Sequence, residues 1–190
     1  MHPWEHWYHV MGHTYGTWLP GDPKGFRTRH HREHVEGDYR NPPPPGIYEG
    51  LHEHAKRAMK RDPVYLNWEQ RRRALDEIIA SLNRHRVEFE IFSLDRIHLH
   101  GLMRCTDHEP KHWLGLAKKE SSHFCKQTGH APVGGIWAHG CKALLPVASR
   151  AHYRRVRGYI HDHRLKGALI YEVVSPPGME AFDPGTLWAE

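Results

Sequence analysis

Cysteine is scarce in this chain, and its scarcity narrows the chemistry. Cys105, Cys125 and Cys141 are odd in number, far apart and nowhere arranged as C-x-x-C. Neither a disulfide framework nor a cysteine-based zinc site is therefore expected, and buried thiols are the simpler reading. Long apolar runs are missing too, so no segment is expected to span a bilayer. The opening Met1-His2-Pro3-Trp4-Glu5 has no basic stretch leading into an apolar one, so no signal peptide is expected and a cytoplasmic location is. Internal repeats are absent. The 20 histidines are scattered and form no tracts, which argues against a metal-buffering protein.

What remains is a polar chain with one good core. Its 190 residues are 38% hydrophobic with a mean hydropathy of −0.76, consistent with a single domain over about residues 1–175 and a tail over 176–190. Lysine and arginine number 27 against 22 acidic residues, a net charge of +5. That balance suits a polyanionic partner, and it suits an ordinary basic surface equally well.

The elements follow from local pattern. Trp7-Tyr8-His9-Val10-Met11-Gly12-His13-Thr14 is aromatic and β-prone, and reads as a first strand lying centrally in a sheet. Residues 20–50 form a polar excursion containing Pro42-Pro43-Pro44-Pro45, whose polyproline geometry cannot feed a ladder. Arg27, Arg29, His30, His31 and Arg32 there could meet phosphates or simply be solvated. A short helix is expected over 51–61. A second begins at Asn67, with Gln70 completing a capping box and Leu75, Ile78, Ile79 and Leu82 at core spacing. Residues 87–93 alternate as a half-buried strand.

A helix over 108–127 has Pro110 in its first turn and Trp113, Leu116, Ala117 and Phe124 as its inward stripe. Lys118 and Lys119 sit off that stripe. Residues 136–145 can supply a strand, and 168–174 a last edge strand. This order of elements predicts an α+β fold, a ferredoxin-like antiparallel sheet with helices packed on it.

Two clusters carry the chemistry. In Asp95-Arg96-Ile97-His98-Leu99-His100-Gly101-Leu102-Met103, alternation puts His98 and His100 on one face of a strand, about 6.6 Å apart along it. Both rings can then reach one metal ion, while Ile97, Leu99, Gly101 and Met103 face the core. Downstream, Ser149 can cap a helix that Gly167 ends, with Tyr153, Val156 and Ile160 as its apolar stripe. On that helix Tyr159 and His163 are four apart and hence neighbours. Arg150, Arg154, Arg155, Arg157, Arg164 and Lys166 make it strongly basic.

This pair of motifs resembles the HUH single-tyrosine transposases, particularly the REP-associated tyrosine transposase branch. His13-Thr14-Tyr15-Gly16-Thr17-Trp18-Leu19-Pro20-Gly21-Asp22 resembles a stretch found in many of them, so the likeness runs over about residues 8–169. The resemblance implies that His98, His100 and His163 hold a divalent metal ion, magnesium or manganese, and that Tyr159 is the nucleophile. It implies cleavage and rejoining of single-stranded or hairpin DNA through a 5′-phosphotyrosine link, by a monomer or a homodimer. The basic residues Lys118, Lys119, Arg154, Arg155 and Arg157 are the candidate DNA contacts.

Three imidazoles suit zinc better than magnesium, so a zinc hydrolase with a bound hydroxide is a second reading. A structure-specific DNA-binding protein without strand transfer is a third.

Overall fold

The computed structural model describes residues 4–22, 26–27, 34–35, 46–140 and 143–173. Arg29, His30, His31, Arg32, the four-proline run, Cys141 and the tail over 176–190 lie outside the described residues.

The chain runs β1 (Trp7–His13), β2 (Phe26–Arg27), β3 (His34–Val35), α1 (Glu49–Arg57), α2 (Trp68–Arg84), β4 (Glu88–Leu94) and β5 (His98–Arg104). It continues through α3 (Pro110–Gln127), β6 (Ala143–Pro146), α4 (Arg150–Asp162), a 3-10 turn His163–Lys166, and β7 (Leu169–Glu172). Five strands form one sheet in the order β6-β1-β5-β4-β7, every neighbouring pair antiparallel. This is the expected α+β, ferredoxin-like sheet, extended at one edge by β7. The middle strand is β5, not β1, which is internal but lies one place nearer the β6 edge. Among the described part of the 20–50 excursion, β2 and β3 pair as a separate two-stranded ribbon.

Two apolar layers hold the sheet. On one face Val10, Phe92, Leu94, Leu99 and Met103 meet α2 and α3 through Leu75, Ile78, Leu82, Leu114 and Cys125. On the other, Trp7, Ile91 and Leu102 meet Tyr153, Val156 and Ile160 of α4. Strand parity explains the division, since Leu99 and Leu102 lie an odd number of residues apart on β5 and so face opposite ways. Local signals set the helices as expected. Asn67 and Gln70 close the capping box of α2, and Ser149 caps α4 by accepting from the His152 N–H. Gly167, at φ 79°, ends the 3-10 turn.

Four expectations need correction. Alternation along β4 is broken by a bulge between Phe89 and Ile91, so these residues face opposite layers. The inward stripe of α3 is Leu114, Ala117, Ser121 and Cys125; Trp113, Leu116 and Phe124 are only partly buried beside it. Of residues 136–145 only 143–145 are in a strand, β6, which runs on to Pro146; before it Thr14 and Trp137 make a single bridge, and Gly140 turns at φ 76°. The first helix runs Glu49–Arg57, starting and ending earlier than 51–61.

Candidate active site

The site lies on the α4 face, where β5, β1 and the end of α4 meet. The turn between β4 and β5 sets its first part. Asp95 accepts from the N–H groups of Ile97 at 2.7 Å and His98 at 2.5 Å, an Asx turn that fixes where β5 starts. Its other carboxylate oxygen lies 3.6 Å from Nδ1 of His98. Burial works to raise the Asp95 carboxyl, but hydrogen bonds from His98 and the two backbone groups outweigh it and hold it at about 2. The carboxylate is thus charged at neutral pH and orients the first histidine ring.

The alternation of β5 does what the spacing predicts. His98 and His100 project on one side, their ring centroids 6.4 Å apart. Leu102 follows on that side into the α4 layer, which buries His100 to 9% exposure. Opposite it comes His163, buried at the end of α4, with ring centroids 4.6 Å apart. Tyr159 stands one turn earlier, its ring 4.6 Å from His163 and 5.5 Å from His100, both edge-on. The tyrosine is 47% exposed, so a large substrate can reach it. His98, His100, His163 and Tyr159, paired two by two in the sequence, thus lie on one face of the sheet.

A fifth member was missed. His9 on β1 is buried at 7% exposure, and its Nε2 lies 3.3 Å from Nδ1 of His100. Its ring stands 5.9 Å from that of Tyr159. The signal was alternation along β1, where Trp7 and His9 share a face. The register that sets β1 beside β5 was not readable.

Burial dominates the electrostatics. It pushes His100 down to about 3, with His163 and His9 adding to the effect. It also lowers His9 to about 4, helped by His152 and His163. Both rings are neutral at pH 7, and the neutral imidazole is the form that ligates metals. Nδ1 of His163 donates to the Tyr159 carbonyl at 2.8 Å. That bond leaves the lone pair on Nε2 of His163.

Donor chemistry therefore fits a divalent ion that accepts imidazole nitrogen. The donor atoms are not gathered onto one point, however: among the described residues, no group of three His, Cys, Asp or Glu is placed to hold an ion.

The candidate DNA contacts divide. Lys119, Arg154 and Arg155 are exposed. Lys118 is not where the helix pattern put it. It is 4% exposed, and its ammonium donates to the carbonyls of Ala138, at 3.0 Å, and Gly140. It ties α3 to the loop before β6 and cannot approach DNA. Arg157 is held by two acids: it donates through Nε to Glu90 at 2.9 Å and also bonds Glu172. Among the described residues a Cβ at Gly158 would meet nothing within 4 Å, so that glycine serves no close packing there.

Cys105 and Cys125 are buried and unpaired, as expected of structural thiols. No helix among the described residues is long and apolar enough to cross a membrane. The chain matches no protein-family model, no curated protein and no solved structure.

Proposed function

We propose that this chain cleaves and rejoins single-stranded DNA through Tyr159, in the manner of the HUH single-tyrosine transposases it resembles. The observation that carries the reading is the convergence of one exposed tyrosine with three buried imidazoles from β1, β5 and the end of α4. A structural tyrosine in a layer this well packed is normally buried, as Tyr153 is on the same helix at 3% exposure.

The chemistry is a transesterification. The Tyr159 oxygen forms a bond to the scissile phosphorus while the bond from phosphorus to the 3′ oxygen breaks. The phenolic proton ends on the departing 3′ oxygen, leaving a free 3′ hydroxyl and a 5′-phosphotyrosine. Attack by a 3′ hydroxyl reverses the step, so strands are exchanged without a further energy source. A free phenol has a pKa near 10, so its activation needs the site's assistance.

His98, His100 and His163 would hold the divalent ion, manganese, magnesium or zinc. When bound, such an ion supplies charge stabilisation at a non-bridging phosphate oxygen. Asp95, the Tyr159 carbonyl and His9 orient the three rings from behind. In the tautomer that would leave Nε2 of His100 for the ion, Nδ1–H of His100 donates to Nε2 of His9, 3.3 Å away. Lys119, Arg154 and Arg155 supply exposed positive charge for the backbone of the strand. The protein acts as a monomer or a homodimer in the cytoplasm.

The test is denaturing electrophoresis of labelled hairpin and single-stranded DNA with protein and manganese. A covalent adduct formed by the wild type and absent from Tyr159→Phe is the expected result. Cleavage by both proteins without an adduct would replace this reading with the metal-hydroxide hydrolase. Binding without cleavage would leave a DNA-binding protein.

A further inference from the structure

Two large aromatic rings stand out of the surface beside the turn that leads into His98. Tyr65 is 56% exposed and Trp68 54%. Single exposed aromatics are ordinary, but the backbone under this pair is fastened from both sides. The flanking Val64 and Leu66 are buried, which turns Tyr65 outward. The Val64 N–H donates to the Tyr15 carbonyl at 2.8 Å, and the Leu66 N–H to the Arg96 carbonyl at 2.9 Å. Next comes the capping box of Asn67 and Gln70, which fixes Trp68 as the first residue of α2. Both rings are displayed on rigid supports.

Each ring also carries a guanidinium. Arg96 lies 5.7 Å from the centroid of Tyr65, and Arg72 5.7 Å from that of Trp68. Both arginines are exposed. The acids nearby do not neutralise them. Asp76 is 3.9 Å from Arg72 with both side chains more than half exposed, a pair worth little in water. Asp95 is turned to the backbone and to His98.

The patch is tied at two points to the segments that carry the site. Arg96 is two residues before His98. Arg71, also in the first turn of α2, donates to the carbonyl of Gly167, just past His163, at 2.7 Å. Aromatic faces paired with arginine are what unpaired bases and their phosphates recognise, whereas a duplex keeps its base faces stacked and out of reach.

We propose that Tyr65 and Trp68, with Arg96 and Arg72, form a stacking track that holds unpaired bases of a single strand next to its scissile phosphate. The proposal rests on the DNA reading of the Tyr159 site and adds the strand's path to it. One base stacks on each ring, and the guanidiniums meet the intervening phosphates. Specificity for single strands over duplex arises at this track.

The test is fluorescence anisotropy of labelled oligothymidine, and of a duplex of equal length, with the full chain carrying Tyr159→Phe so that no strand is cut. Tyr65→Ala and Trp68→Ala should each weaken oligothymidine binding roughly 5- to 100-fold, with duplex binding unchanged. Tyr65→Phe and Trp68→Phe should retain affinity, because the ring is kept. Arg96→Ala and Arg72→Ala should each lower the salt dependence by about 0.7 in log–log slope.

Wild-type affinity in the alanine variants, equal loss for duplex, or phenylalanine variants as weak as alanine ones would overturn the track. So would a dimer in sedimentation that Trp68→Ala dissolves, which would make the patch a contact between copies. The two readings fail separately. No Tyr159 adduct, with Trp68→Ala still weakening binding, defeats cleavage and keeps the track. Normal adduct yield at limiting DNA from a chain lacking both rings defeats the track and keeps cleavage.

Discussion

Tyr159 holds His163 through its own backbone: the Tyr159 carbonyl accepts from Nδ1 of His163 at 2.8 Å, while the two rings meet at 85° with centroids 4.6 Å apart. The proposed nucleophile and the proposed helix-borne ligand are therefore one unit, and their loss should read differently. Tyr159→Phe keeps the ring, with the residue 47% exposed, and removes its hydroxyl, so the adduct should vanish while the fold is kept. His163→Ala keeps the phenol and removes a proposed ligand, and should lower metal affinity and adduct yield roughly 10- to 100-fold. Titration calorimetry with manganese checks the second effect. Equal metal affinity in His163→Ala and wild type would remove His163 from the ligand set.

Arg157 and Arg155 are two residues apart on a basic helix, yet they should behave oppositely. Arg157 bonds Glu90, whose side chain is only 10% exposed, and Glu172 on β7. Arg157→Ala leaves Glu90 buried and unmatched, at a cost of about 1–3 kcal/mol in urea unfolding. Arg155 is exposed, so Arg155→Ala should change stability by under about 0.5 kcal/mol and weaken DNA binding in a salt-sensitive way. If Arg157→Ala is as stable as wild type, the bulge in β4 that aims Glu90 at it has no structural purpose.

These contrasts mark what was legible in the sequence. Features decided within a few residues were readable: the Asn67–Gln70 capping box, the parity of His98 and His100, the Tyr159–His163 turn and the Ser149 cap. Each depends on helix or strand periodicity or on a cap within the same turn. Features decided by partners distant in sequence were not. The carbonyls that bury the Lys118 ammonium belong to Ala138 and Gly140, 20 and 22 residues on. The placing of His9 required knowing that β1 lies beside β5, with Met11 opposite His100. The bulge at Glu90 left an apparently regular alternation in the sequence while reversing its sense in space. On α3, Trp113 and Phe124 drew the stripe toward themselves, but rings of that size lie at the margin, and Ala117 and Ser121 fit the close approach.

Gly101 gives a direct measure of how tightly the middle strand is packed. A Cβ there would overlap the ring of Phe92, directly across β4 and fully buried. The conflict is one of space, since Gly101 is not among the glycines with positive φ. Gly101→Ala should therefore destabilise by about 1–3 kcal/mol, and Phe92→Leu in the same chain should recover part of the loss. Because Gly101 adjoins His100, metal affinity should fall with stability in the single variant. An alanine variant as stable as wild type would show that the ring moves aside freely.

Acid should unfold the chelator-treated protein earlier than its carboxylates alone require. His9 and His100 are lowered from 6.5 to about 4 and about 3 by burial and neighbouring imidazoles. Between pH 6.5 and about 4 the unfolded chain binds protons at these positions and the folded chain does not. Stability is therefore complete above pH 6.5 and falls as pH drops, by up to about 1.4 kcal/mol per pH unit for each group. Asp95, lowered from 3.8 to about 2, adds its own loss only below about pH 4. Urea midpoints across pH 7 to 4 should thus slope downward toward acid, and His9→Gln, which cannot titrate, should remove about half of that slope. Saturating manganese or zinc should displace the onset to lower pH, because an ion bound at His100 would exclude protons from that ring. An unchanged slope in His9→Gln would mean that its ring is protonated in the folded protein, and it could then not accept the Nδ1–H of His100.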